Sequence, residues 1–167
     1  MIVEIAASLF DGIPSELAVF FMAALPVLEL RGAIPAGLEV WGLGPIVVYV
    51  LAISGNLLPF FPLFYGLEAL RKWMAKHTPR LVRWMDRYIE SSRKKLERKY
   101  NAYGFVALFL FTAIPLPLTG LYSATVAAVA LKLPLRSTFL AITSGVLCSG
   151  IIVTLLTVGI SALTTQG

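Results

Sequence analysis

The chain has 167 residues, of which 58% are hydrophobic and only 14% charged, and its mean hydropathy is +0.84. A soluble domain carries about 25% charged residues, so the composition argues against a soluble fold and indicates a membrane protein. The net charge of +5 does not indicate a nucleic-acid ligand, because eleven of the fourteen basic residues cluster within 71–99 and the rest are scattered through apolar sequence.

The first apolar stretch, residues 15–25, is too short to cross a membrane at about 1.5 Å per residue. Pro26, Glu29, Arg31 and Pro35 follow it, and a second short apolar piece comes next. This pattern predicts a re-entrant hairpin, which enters and leaves the membrane on one face. Irregular backbone at that depth is tolerated only where protein covers it or where it lines a water-filled cavity.

Two longer segments reach the length of about 20 apolar residues that a membrane span needs. The first covers residues 45–70 and contains Asn56 and Pro59, which predict a kink or a local unwinding. The second covers residues 135–163 and has neither proline nor charge after Arg136. We expect both to be transmembrane helices.

The basic segment 71–99 lies between the two spans and carries apolar residues at near-helical spacing. Thr78 and Pro79 fit an N-cap followed by proline at the first helical position. Trp73 and Trp84 fit a membrane interface. We interpret the segment as an amphipathic helix on the inner membrane face; the alternative is an arm that binds nucleic acid or a partner.

After the linker the pattern of the first half returns. Apolar arms flank Pro115, Pro117 and Gly120, which predicts a second re-entrant hairpin before the second span. Pro26 pairs with Pro115 at an offset of 89 residues, and other matches share this register. A re-entrant hairpin does not cross the membrane, whereas a transmembrane span crosses it once. The second half must therefore start from the opposite membrane face, as in the inverted repeats of transporters.

The predicted fold is an all-α polytopic membrane protein with two inverted repeats, each a re-entrant helical hairpin plus a transmembrane helix, joined by a basic amphipathic helix. We expect one membrane domain over residues 1–167, with repeat 1 at about 13–70 and repeat 2 at about 100–165. The positive-inside rule places the linker 71–99 in the cytoplasm and both termini outside. The expected location is the cytoplasmic (inner) membrane of a prokaryote.

Polar residues at predicted membrane depth are the functional candidates, because ionisable groups there are costly and usually mark a pathway or a binding site. The first hairpin tip offers a carboxylate and a guanidinium, and the second offers hydroxyls and proline-adjacent carbonyls that need partners. The candidate substrate-binding residues are Glu29, Arg31, Asn56, Thr112, Pro115, Pro117, Thr119 and Gly120. The structural alternatives are an ion pair that pins the first hairpin, a tip that lies at the membrane interface where charges cost little, and helix packing by small residues.

Three motifs carry a family resemblance: LPVLELRGAIPAG (25–37), SGNLLP (54–59) and AIPLPLTG (113–120). Together with the basic linker they resemble the small multi-drug export family over about residues 25–163. That family is similar in plan to the DedA/VTT superfamily, whose paired re-entrant hairpins occur in lipid scramblases and undecaprenyl-phosphate translocases. The second motif departs from the pattern, with Leu118 where glycine is expected and without the arginine of DedA proteins. The resemblance implies the motif positions Glu29, Arg31, Pro35, Asn56, Pro115, Pro117, Thr119 and Gly120.

The expected function is transport or export of a small or amphipathic substrate between the hairpin tips, with protons as candidate coupling ions. The alternatives are translocation or scrambling of a lipid such as a polyprenyl phosphate, and a non-transporting membrane scaffold. The sequence contains no enzyme signature, so we expect no catalytic residues, no cofactor and no metal. The expected partners are membrane lipids, the substrate and further copies of the chain in a homo-oligomer, which would cover the polar tips.

Overall fold

The computed structural model describes residues 12–78, 100–115 and 120–165, together with residues 8 and 10. Helices and turns account for this part of the chain, which contains no strand, so the predicted all-α class is confirmed there. The linker residues 79–99 and the tip residues 116–119 lie outside the described ranges. The described helices are α1 (Ser15–Ala23), α2 (Glu29–Pro35), α3 (Pro45–Leu57), α4 (Phe60–His77), α5 (Tyr100–Ala113), α6 (Leu121–Ala130) and α7 (Leu135–Thr165).

Prolines set the limits of the first span. Pro45 occupies the first turn of α3, where its missing N–H would have no partner in any case. Helix α3 ends at Leu57, a turn follows, and α4 begins after Pro59, so the predicted break is confirmed. Helix α4 then runs to His77, past the predicted end of the span. The first basic residues after the span therefore continue its helix.

The first predicted hairpin consists of two short helices joined by turns, and the second has two short helices on either side of residues 116–119, which lie outside the described ranges. Helix α1 is followed by turns over residues 24–28 and then by α2, which a π-helical turn extends over Ala36–Val40. Helix α5 ends at Ala113, and α6 begins at Leu121. The short helices on both sides of each predicted tip are observed, whereas the re-entrant course of each hairpin, with entry and exit on one membrane face, stays a prediction.

The two long apolar segments run in opposite directions. Pro45, at the start of α3, shares a groove with Leu155 in the second half of α7. Arg71, in the last turns of α4, lines a cavity with Leu135 at the start of α7. Over 45–77 and 135–163 the helices are long and apolar enough to cross a membrane.

Glycines bring the first arm of each hairpin against the span of its own half. A Cβ on Gly55 of α3 would lie 2.0 Å from the carbonyl oxygen of Phe20 on α1. A Cβ on Gly145 of α7 would lie 2.7 Å from the carbonyl oxygen of Phe109 on α5. Phe20 and Phe109 are 89 positions apart, which is the offset of the sequence repeat. The second arms cross over, with α2 packed on α7 and α6 packed on α4.

The distribution of side-chain sizes suits lipid better than water. Val27, Ile46 and Leu163 are 84%, 80% and 76% exposed, whereas many of the fully buried residues are alanines such as Ala33 and Ala52. Small residues allow helices to approach closely. In lipid no hydrophobic effect drives helices together, so membrane helices associate through such close packing. A large apolar surface of this kind marks a membrane or protein contact rather than a water-facing monomer.

Candidate functional site

The two hairpin tips meet around a small cavity inside the helix bundle. Its volume is about 10 Å³, roughly the room that one water molecule needs. Two of the predicted site residues, Pro117 and Thr119, lie outside the described part of the chain. The structure brings the other six together in the lining: Glu29, Arg31, Asn56, Thr112, Pro115 and Gly120.

Glu29 is the buried carboxylate of this cavity, with only 7% of its surface exposed. Its φ is 46°, in the left-handed region that residues with a side chain rarely adopt. Backbone strain of this kind clusters at binding and catalytic sites. The Nη2 atom of Arg31 donates a hydrogen bond to Oε2 of Glu29 at 3.3 Å. The predicted pair at the first tip is therefore formed, and its functional role stays a prediction.

The Glu29 carboxylate also contacts the second hairpin at the N-terminus of α6. The backbone N–H of Tyr122, in the first turn of that helix, donates a hydrogen bond to the carboxylate. The first N–H groups of a helix have no partner within the helix, and a carboxylate satisfies them well. Glu29 thus acts as a cap for α6, supplied by the other hairpin.

Gly120 makes this contact sterically possible. A Cβ built on Gly120 would lie 2.2 Å from Oε2 and 2.6 Å from Oε1 of Glu29. Atoms in ordinary van der Waals contact are at least 3.4 Å apart. Any side chain at position 120 would therefore displace the carboxylate, so a glycine at this place lets the two tips close on each other.

A second hydrogen bond joins the tips from the opposite direction. The hydroxyl of Tyr122 donates to the carbonyl oxygen of Ala24, in the turn after α1. That carbonyl lies just beyond the last turn of α1, where carbonyl groups lack partners within the helix. Tyr122 consequently binds the first hairpin through both its backbone N–H and its hydroxyl.

Asn56 and Thr112 occupy the cavity wall in different ways. Asn56, 1% exposed, donates from Nδ2 to the carbonyl oxygen of Ala23 at 3.1 Å, which ties α3 to the end of α1. Thr112 donates from Oγ1 to the carbonyl oxygens of Leu108 and Phe109 on its own helix, at 2.8 and 3.1 Å. The Asn56 side chain therefore holds the first hairpin to its span, whereas the Thr112 hydroxyl is satisfied within α5.

Two polar residues of the site were not predicted from the sequence. Tyr122 was missed because it contacts Glu29 through its backbone N–H, a group that nearly every residue type has. Ser149 lines the cavity from α7 and is 6% exposed. Ser149 could have been recognised as a small polar residue inside an apolar span. Serine is also common at the packing interfaces of membrane helices, so its position alone did not indicate a site.

The chemistry available at this site is that of one carboxylate held by two exchangeable donors. A cation or a proton placed at this carboxylate would compete with the Arg31 guanidinium and the Tyr122 N–H for the same oxygens. Hydrogen bonds to a charged carboxylate are stronger than those to a neutral acceptor. Loss of the charge on Glu29 would therefore weaken its hydrogen bonds to these donors.

Comparison with protein families matches residues 29–152 to the family described as "Putative small multi-drug export protein". The match covers more than half of the chain, which therefore belongs to this family, as the resemblance predicted. The matched region starts at Glu29 and includes every described residue of the cavity lining. No curated protein and no solved structure matches the chain. Family membership and two helices that are long enough to span a bilayer identify an integral membrane protein.

Proposed function

Because the chain belongs to this export family, we propose that it carries a small cationic or amphipathic substrate across the membrane through a site between its hairpin tips. One observation carries the proposal. Six residues chosen from the sequence as site candidates line a single cavity, in which the described ionisable residues are Glu29 and Arg31. Ionisable groups in such surroundings usually belong to a transport pathway or a binding site.

The position of the cavity along the helices supports a site at the bilayer midplane. Asn56 comes eleven residues after the start of α3, and Val146 comes eleven residues after the start of α7. At about 1.5 Å per residue, each lies about 17 Å from its helix start. The two helices run in opposite directions, so these distances are measured from opposite faces. Half of a hydrocarbon core is about 15 Å.

We propose further that the two hairpins are re-entrant and enter from opposite faces as halves of an inverted repeat. The antiparallel spans and the equivalent Phe20–Gly55 and Phe109–Gly145 contacts support this arrangement. The basic end of α4 is then cytoplasmic, in agreement with the positive-inside rule. In this arrangement each tip reaches the midplane from its own side, as in transporters whose broken helices form the substrate site.

The conformation described here is closed, since about 10 Å³ holds no substrate. Transport requires the tips to separate, and the contacts that oppose separation include the two hydrogen bonds of Tyr122. A proton on Glu29, or a substrate cation beside it, weakens the bond to the Tyr122 N–H and favours opening. Release on the other face restores the carboxylate and the closed form. Such an exchange is the minimal cycle of a proton-coupled exporter.

The test is flux in proteoliposomes that contain the full chain, with candidate organic cations and labelled phospholipids as separate arms. Glu29→Gln keeps the shape of the side chain and an acceptor for the Tyr122 N–H, but it removes the charge. We expect at least a tenfold loss of cation flux. Glu39→Gln is the matched control, because Glu39 is an exposed carboxylate that bonds to Ser161 outside the cavity.

Each outcome of this experiment separates the alternatives. Full flux in Glu29→Gln would remove the carboxylate from the mechanism and leave the ion pair as a structural element. Movement of labelled lipid without cation flux would favour a lipid translocase or scramblase. No flux of any tested compound, together with a loss of stability in Glu29→Gln, is the result that a membrane scaffold predicts.

A further inference from the structure

A second cavity lies at the end of the bundle where α4 carries its basic residues. Its volume is about 370 Å³, which is in the range of small-ligand sites. Tyr65, Glu68 and Arg71 of α4 form one wall, and Lys132 and Leu133, between α6 and α7, form part of the other. The cavity shares none of its described residues with the Glu29 site.

This cavity changes from apolar to charged along α4. Phe64 and Leu133, 3% and 7% exposed, line the part that faces the core. Arg71 comes two helical turns after Phe64, about 10 Å further along the axis. Among the described residues of the rim, Arg71 and Lys132 carry two positive charges and Glu68 carries one negative charge, a sum of +1. A guanidinium beside an ammonium is well suited to a phosphate group.

The backbone at Lys132 provides an independent indication that this side chain is needed. The N–H of Leu133 donates to the carbonyl of Ala128 at 2.9 Å, and the N–H of Lys132 donates to that of Val129 at 3.2 Å. These two bonds form a Schellman turn at the end of α6. Lys132 occupies its left-handed position with a φ of 55°, where glycine is the usual residue. At this left-handed position the chain has a lysine, whose side chain lines the cavity, instead of the usual glycine.

We infer that this cavity binds the phosphate of an anionic phospholipid, with Arg71 and Lys132 around the phosphate and the apolar wall against the start of an acyl chain. Trp73, 57% exposed on the next part of α4, is the kind of residue found at the level of lipid headgroups. Basic pockets between transmembrane helices bind anionic headgroups in this manner. The site is separate from transport and serves to fix this end of the bundle in its own leaflet.

The competing explanation is general attraction between an anionic membrane and all the basic residues of this end. In that case every positive charge near the surface contributes similarly. The cavity predicts instead that Arg71 and Lys132 dominate. Lys72 and Lys76 on the same helix are exposed and do not line the cavity, so they are matched controls of equal charge.

The experiment measures lipid binding to the purified full chain in a zwitterionic detergent. Phosphatidylglycerol, phosphatidylcholine and inorganic phosphate are titrated separately, and retained lipid is counted by native mass spectrometry. Lys132→Gly is the informative variant, because it removes the cation and gives the left-handed turn its preferred residue. Its melting temperature without lipid should equal or exceed that of the wild type, which shows that the fold is kept. Arg71→Gln provides the second cavity variant.

We expect the wild type to prefer phosphatidylglycerol to phosphatidylcholine at least tenfold. Lys132→Gly and Arg71→Gln should each lower the affinity for phosphatidylglycerol at least fivefold, and Lys72→Gln and Lys76→Gln should change it less than twofold. Equal losses in cavity and control variants would overturn the site in favour of general attraction. Equal binding of the two lipids would overturn it as well. Competition by inorganic phosphate at similar concentration would overturn the lipid assignment.

Discussion

Replacing Gly120 with alanine adds one methyl group at the contact between the hairpins. The new Cβ would lie 2.2 Å from Oε2 of Glu29, so the carboxylate must retreat by about 1.2 Å to reach ordinary contact at 3.4 Å. A hydrogen bond lengthened by that amount is lost. The bond at risk joins Glu29 to the N–H of Tyr122, and bonds to charged groups contribute about 1.5–3 kcal/mol. For a chain of this size, about 2 kcal/mol lowers the melting temperature by about 4–8 °C.

A double-mutant cycle isolates the carboxylate from other effects of the substitution. The melting temperatures of Gly120→Ala, Glu29→Ala and the double variant are measured by tryptophan fluorescence of the full chain in detergent. In the Glu29→Ala background the methyl group meets no carboxylate, so the second substitution should change the melting temperature by less than about 2 °C. Gly66→Ala is the control, since nothing lies within 4 Å of a Cβ there. It should be neutral or slightly stabilising, as expected for alanine in a helix.

The cycle has a clear negative outcome. If Gly120→Ala costs the same with and without the Glu29 side chain, the two residues do not interact and the capping contact is wrong. If Gly66→Ala is equally costly, the chain simply tolerates no added methyl groups. The contact between Gly120 and Glu29 is supported only if the loss of melting temperature caused by Gly120→Ala depends on the Glu29 side chain.

Four further predictions follow from the same structure. Gly145→Ala should prevent accumulation of monodisperse protein, because its Cβ would lie 2.7 Å from the backbone oxygen of Phe109. Gly159→Ala on the same helix is the control and should match the wild-type yield, since nothing lies within 4 Å of a Cβ there. Asn56→Ala leaves the Ala23 carbonyl without its 3.1 Å donor and should cost about 1–3 kcal/mol, read as a lower melting temperature; an unchanged value would contradict this. Single cysteines in a cysteine-free background should be labelled from outside at position 162 and protected at position 72, and the reverse would sink the proposed orientation. Light scattering corrected for detergent should give a dimer or a larger homo-oligomer, and a stable, active monomer would refute this.

The helices and their breaks could be predicted because proline and apolar length act locally. The break near Asn56 and Pro59 and the turns after α1 follow from single residues that interrupt apolar runs. The extension of α4 to His77 could not be predicted this way. A change from apolar to basic residues marks where a helix leaves lipid, and it does not end the helix, since lysine and arginine are good helix formers.

The candidate site was predictable only through its side chains. Glu29, Arg31 and Asn56 stood out as polar residues within apolar sequence, and the structure places all three at one cavity. Besides Arg31, Glu29 is bound by a backbone N–H at the start of α6, and a backbone donor cannot be recognised from the residue type. Gly120 was chosen as part of a motif, but its physical role depends on the Glu29 carboxylate of the other hairpin, which would lie 2.2 Å from a Cβ at position 120. No local sequence pattern contains that distance.

In the proposed inverted repeat, the offset of 89 residues accounts for the asymmetry of the site. At that offset Glu29 corresponds to Leu118 and Arg31 to Gly120. Two copies of an acidic tip would bring two carboxylates to one small cavity, where like charges disfavour each other's ionisation. In this chain the first half provides the Glu29 carboxylate. The second half provides the N-terminus of α6 and, at Gly120, the space that a side chain would otherwise fill. Under the proposed duplication, one tip carries the charge and the other accommodates it, and we expect a single proton or a single cationic group to change the contact between them.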